Sequence, residues 1–317
     1  MESEMKKSTR HEEYQYLEFL EKIMKEGITK PNRTANKTKS LFGNTMRFTL
    51  SELQEGSTNY RKILPLLTTK NMSKTVDIIF KELEFFISGK TDNKILKNQG
   101  VKIWNANGSR EFLDLAGLQK YQEDDLGPIY GWQWRHFGAE YESCQDDYSG
   151  KGFDQLQWVI DEIKKNPYSR RLLVTAWNPL QIKEMCLPPC HSFFQFVVDP
   201  DESGTKPTFL SCTVYQRSAD LPLGVPFNIA SYATLTHIVA DLTGLIAKEL
   251  FYITIDSHIY ENQLEFVPIQ TSRVPYPFPS LEFDFINRVK TIDDYKAKHM
   301  KVIGYQSHPT INYPFSV

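Results

Sequence analysis

Two strand-like runs, Leu210–Gln216 and Leu250–Asp256, enclose a long apolar helix, Ile229 to Leu242, ended by a Thr243-Gly244 stop. A helix of that kind needs a sheet to bury its apolar side, which commits the chain to a layered α/β arrangement. Arg171–Trp177 and Phe193–Asp199 also read as strands. Helices are expected near the N-terminus, where Tyr14, Leu17, Leu20 and Ile23/Met24 recur at helical spacing, and over Val76–Ser88. A further one runs from Phe153 to Ile163, stopped by Asn166-Pro167, while Lys30–Lys39 reads as a basic polar turn leading into Leu41-Phe42-Gly43. Helices fall before and between strands without regular βαβ alternation. The expected fold class is therefore α/β (α+β), a single domain with a large mixed β-sheet flanked by helices.

Bulk charge excludes some partners. Against 37 basic side chains stand 39 acidic ones, so nothing draws the chain to nucleic acid or an anionic membrane. The apolar stretch from Phe227 to Ala247 is broken by Asn228, His237 and Asp241 and does not read as a membrane span. The first residues carry Glu2, Glu4, Lys6, Lys7 and Arg10 instead of an apolar leader. With no disulfide-dense pattern among Cys144, Cys186, Cys190 and Cys212, a soluble, reducing, cytoplasmic location is the simplest expectation.

Cys190 is the most conspicuous of the four, in Leu187-Pro188-Pro189-Cys190-His191. Two prolines stiffen the approach to the thiol and remove backbone donors. An unperturbed thiol is only about 3% thiolate at pH 7, and bringing its pKa to neutrality takes roughly 2 kcal/mol of preferential stabilisation, which nearby cations can supply. Candidate cations sit at element ends: Arg33 in Asn32-Arg33-Thr34, Arg170-Arg171 before a strand, and Arg217 in Gln216-Arg217-Ser218-Ala219-Asp220. A single arginine is ordinarily a solvated surface charge. Together with Ser218 these guanidinium forks fit an anion site better, and without a Gly-rich phosphate loop the anion would be held by side chains. Zinc is disfavoured, because Cys186, Cys190 and His191 have no second Cys/His pair.

These strings resemble the folate-dependent thymidylate synthase family. The resemblance rests on Leu187–His191, Tyr215–Asp220 and Leu223–Tyr232, and extends to Pro65–Lys70, Lys102–Trp104, Gly127–Gly131, Ser169–Arg171, Asp256–Tyr260 and Arg273–Pro279. It implies one domain over 1–317, with 1–14 as a flexible N-terminal extension and 312–317 as a mobile tail. It leaves no room for a fused dihydrofolate reductase segment. It also implies reductive methylation of dUMP to dTMP with 5,10-methylenetetrahydrofolate as co-substrate, without metal. Cys190 would be the nucleophile, with Glu82, Tyr130, His191 and Asp220 in catalytic roles. Arg33, Gln216, Arg217, Ser218, Asn228, His258 and Tyr260 would bind dUMP. Arg170 and Arg171 would reach dUMP across the interface of an obligate homodimer, and Trp104, Asn107, Asp220 and Val317 would line the folate site. Asn228 favours uracil over cytosine only if neighbouring bonds fix its amide.

The chain departs from the family pattern at Asn32 and Asn105, at Ala35–Lys37, in an apparent insertion from Glu55 to Arg61, over Lys248–Thr254, and in the tail at Phe315 and Ser316. A tail that excludes water decides whether an exocyclic methylene intermediate is reduced or hydrated. Trp104 and the full-length tail favour the synthase. A dUMP hydroxymethylase and a catalytically silent nucleotide-binding homologue stay as alternatives.

Overall fold

A computed structural model of the chain describes residues 10–32, 36–285 and 289–315. Helix α1 (Tyr14–Glu26) leads into strands β1 (Ile28–Lys30) and β2 (Thr38–Thr49), the pair β3 (Ser51–Leu53) and β4 (Tyr60–Lys62), and helix α2 (Val76–Ile87). Short helices α3 (Lys94–Asn98), α4 (Arg110–Leu115) and α5 (Tyr130–His136) precede α6 (Gln155–Lys165) and strand β5 (Leu173–Thr175). Then come β6 (His191–Pro200), β7 (Pro207–Asp220), α7 (Gly224–Thr243) and β8 (Ile246–Tyr260). Helix α8 (Val267–Thr271) and the pair β9 (Ser280–Phe283) and β10 (Met300–Ile303) follow.

The central sheet has six strands in the order β1-β2-β8-β7-β6-β5. Neighbours are antiparallel except β7 and β8, which run parallel, so the sheet is mixed as expected. That parallel pair follows from α7, which returns the chain to the starting edge, as a parallel connection requires. Helix α7 is buried from Ile229 to Ala240 without a break, which explains its lack of a polar side. Its C-cap is Gly244 at φ +71°, where a side chain would be strained. Phe194, Phe196, Leu210, Val214, Leu250 and Tyr252 are buried on the sheet face that meets α7. The alternate residues point the other way, and that face is partly open: Val197 is 47% exposed.

The structure differs from the sequence expectations in places. Residues 38–49 form a long strand inside the sheet, although its buried positions Thr38 and Ser40 are polar and hide the alternation. The strand expected over 171–177 shortens to Leu173–Thr175, because Ala176 and Trp177 both donate to the Ser192 carbonyl and end the ladder. Glu55–Arg61 occupies the turn of the β3–β4 pair and runs into β4. Within the expected extension, the part from residue 10 is anchored: Glu13 is fully buried and accepts from the amides and hydroxyls of Thr68 and Thr69. Residues 1–9 lie outside the described set. No described helix is long and apolar enough to cross a membrane.

Candidate active site

The C-terminal ends of β7 and β8 and the start of β6 open into a cleft of about 410 Å³. Its lining includes Cys190, His191, Glu82, Tyr130, Trp104, Gln216, Arg217, Ser218, Asp220, Asn228, His258 and Tyr260, which come from separated stretches of sequence. Asn107 and the exposed Arg170 and Arg171 do not line it, and Arg33 and Val317 lie outside the described residues.

Cys190 is half-buried where the proline segment turns into β6. Its amide donates to the Tyr130 hydroxyl oxygen at 2.8 Å, and its carbonyl accepts the Arg217 amide at 2.9 Å. The Arg217 guanidinium donates from Nε to the Pro189 carbonyl at 2.9 Å and from Nη2 to the Pro188 carbonyl at 2.8 Å. The two prolines thus stiffen the segment while the arginine grips their oxygens.

Tyr130 opens α5 at φ +20°, a conformation that L-residues rarely adopt. Its ring stacks on Phe86 at 4.9 Å and lies 4.2 Å from His191. Burial raises the Tyr130 phenol well above its usual range. His191 Nδ1 lies 2.6 Å from the Tyr232 hydroxyl, and burial lowers the imidazole pKa to about 3, so the ring is neutral at physiological pH.

Glu82, on α2, accepts from the Trp104 indole at 2.8 Å. Burial raises its carboxyl to about 7, with the indole bond working in the opposite direction. A group poised at neutrality can give or take a proton. Asp220 is also raised, by burial first, while His258 and Lys70 pull it down. A cleft lined by two carboxyl groups and an indole is suited to a flat heterocycle with N–H donors.

Gln216 fixes Asn228. Its Nε2 donates to the Ser218 carbonyl at 2.8 Å, which only the amide nitrogen can do. Its Oε1 is left to accept from the Tyr252 hydroxyl and, at 3.2 Å, from Asn228 Nδ2. Asn228 then offers the cleft one acceptor oxygen and a second N–H.

Tyr252 and Tyr232 are the orienting residues that the sequence did not single out. Both are buried among apolar neighbours, and a lone tyrosine in an apolar run gives no sign of its partner. Asn32, one of the departures, lines the cleft and donates to the Asn36 carbonyl at 2.7 Å. Asn105 accepts from Asn93 at 3.3 Å. Among the described residues no cluster of His, Cys, Asp and Glu could hold a metal ion.

The family model described as thymidylate synthase matches residues 14–317. The chain is similar to the thymidylate synthase of Homo sapiens, at 47% identity over 307 residues, covering 97% of this chain and 91% of that one. The thymidylate synthase of Candida albicans is 45% identical over 318 residues, covering 96% of this chain and 98% of the relative. The bifunctional dihydrofolate reductase-thymidylate synthase of Paramecium tetraurelia is 46% identical over 97% of this chain, which spans 62% of that relative's length.

Proposed function

The chain belongs to the thymidylate synthase family, and from that premise we propose how its cleft carries out the reductive methylation of dUMP to dTMP. The observation that supports the reading most is the meeting of Cys190, Glu82, Tyr130 and Asn228 in one cleft. Cys190 thiolate adds to carbon 6 of uracil and makes carbon 5 nucleophilic. Asn228 accepts from uracil N3–H and donates to O4, where the negative charge develops, in an orientation that Gln216 holds. 5,10-Methylenetetrahydrofolate supplies the one-carbon unit and the hydride and leaves as dihydrofolate. Glu82 manages protons at the pyrimidine oxygen and the folate, favoured by its pKa of about 7. Tyr130, with water, removes the carbon 5 proton, and Cys190 leaves carbon 6 at the end.

Arg217 and Ser218 hold the phosphate, with Arg33 as a further phosphate ligand, while His258 and Tyr260 bind the deoxyribose hydroxyl. Trp104 and Asp220 receive the pterin, with Asn107 and Val317 as further folate contacts. Neutral His191 supports the ring of Tyr130. The protein acts as a homodimer built on the open sheet face, and Arg170 and Arg171, exposed away from their own cleft, serve the partner's phosphate.

Incubation with dUMP and methylenetetrahydrofolate, with the nucleotide identified by mass, tests the reading. dTMP with stoichiometric dihydrofolate is expected. Hydroxymethyl-dUMP with tetrahydrofolate would assign the hydroxymethylase, and absence of turnover the silent homologue. For the interface, mixing Cys190→Ser with a doubly substituted Arg170→Ala/Arg171→Ala chain should restore activity, because one of the two hybrid sites is whole.

A further inference from the structure

We propose that Trp177 is a positioning residue that couples phosphate binding to the nucleophile segment, an inference that rests on the roles given above to Cys190 and Arg217. Trp177 lies just beyond β5. Its amide and that of Ala176 both donate to the Ser192 carbonyl, at 3.2 and 2.8 Å, opposite a register shift between His191 and Phe193 in β6. Two amides against one carbonyl fix the Trp177 backbone two residues beyond Cys190. The indole of Trp177 lies 5.2 Å from the Arg217 guanidinium carbon, within cation–π range.

Arg217 carries the constraint back to the other side of the thiol. Its Nε and Nη2 are committed to the Pro189 and Pro188 carbonyls, and its amide to the Cys190 carbonyl. The segment is thereby held before, at and after Cys190 by two residues that touch each other. With one N–H each of Nε and Nη2 engaged, the two N–H groups of Nη1 and the second of Nη2 are left to meet phosphate oxygens. A phosphate drawing on these remaining donors therefore acts on the same rigid fork that grips Pro188 and Pro189, and the indole face keeps that fork in plane. Without the face, the guanidinium can follow the phosphate and release the carbonyls.

Side-chain replacement leaves the two backbone bonds to Ser192 intact, so the ring can be tested alone. Trp177→Leu is expected to raise KM for dUMP by about 2- to 30-fold, the span of a cation–π contact. It should also abolish the response of Cys190 alkylation by iodoacetamide to added inorganic phosphate, read on the Cys190 peptide by mass. Trp177→Phe should restore both to within about 3-fold of the parent. A site-specific trifluorotryptophan at 177 keeps the shape while weakening the ring face, so it serves if Trp177→Leu fails to fold, and KM should rise with it. Unchanged KM and an unchanged phosphate response in the leucine or fluorinated protein would overturn the proposal, as would a phenylalanine variant as impaired as leucine. Cys190→Ser separates the two levels. If it turns over dUMP, the underlying assignment fails; if it is inactive while Trp177 variants are indifferent, only this inference fails.

Discussion

At the scale of single residues, Asn228 reads its base through a neighbour. An amide can present itself to uracil or, rotated, to cytosine, and the bond from Gln216 to the Ser218 carbonyl removes that freedom. Asn228→Asp should lower kcat/KM for dUMP by on the order of 100-fold or more, while binding of dCMP improves relative to dUMP. Competition assays with both nucleotides measure the change in preference. Glu82 allows a second prediction. Its carboxyl is raised to about 7 in the fold, so between the unfolded value near 4.5 and 7 the folded state holds the proton more tightly. The group's contribution to stability is complete below about 4.5 and is lost as pH rises through 7. Glu82→Gln should therefore gain stability over the parent at pH 8, with the difference shrinking towards pH 5, as calorimetry across pH would show. The sequence made most of these side chains legible because the strings around them are long and ordered. It could not show Tyr252 and Tyr232, whose roles exist only through contacts across the fold.

Among the elements, α5 is placed by a close approach that only glycine allows. A Cβ on Gly131 would stand 2.1 Å from the Phe86 carbonyl oxygen and 2.5 Å from its Cα, so any larger residue pushes α5 away from α2. Tyr130 starts α5 and Glu82 lies on α2, so that shift would separate two catalytic groups. Gly131→Ala is expected to cost about 1–3 kcal/mol in denaturant unfolding and to lower kcat more than it raises KM for dUMP. The helix–sheet plan was readable because α7, β6, β7 and β8 carry strong apolar patterns. Strand β2 was not, because Gly43 at φ +73° interrupts it and Phe42, an apolar residue, is 83% exposed. Its place between β1 and β8 is a tertiary fact that no local pattern records.

On the scale of the whole molecule, Thr68 and Thr69 are a junction between distant parts of the chain. Glu13 holds them from the N-terminal side, while Gln270 joins Thr69 to the Tyr313 hydroxyl and Arg273 joins the Thr69 and Pro309 carbonyls. Glu13→Gln replaces an acceptor by a donor and leaves a buried amide or hydroxyl unmatched. A loss of about 1–3 kcal/mol is expected, with faster hydrogen exchange around residues 305–314. If the tail segment covers bound folate, KM for folate should rise more than KM for dUMP. Helix α1 packs on α8 as well as on β2 and β8, and its buried face is Tyr16, Leu17, Phe19, Leu20 and Ile23. During translation, β2 follows that face closely, but α8, the other half of its cover, emerges long after it. From Glu26 to Val267 the ribosome needs roughly 10–50 s at 5–20 residues per second, so for that interval the nascent chain carries an apolar stripe in search of a partner, and its yield in the cell depends on what shields the stripe until α8 arrives.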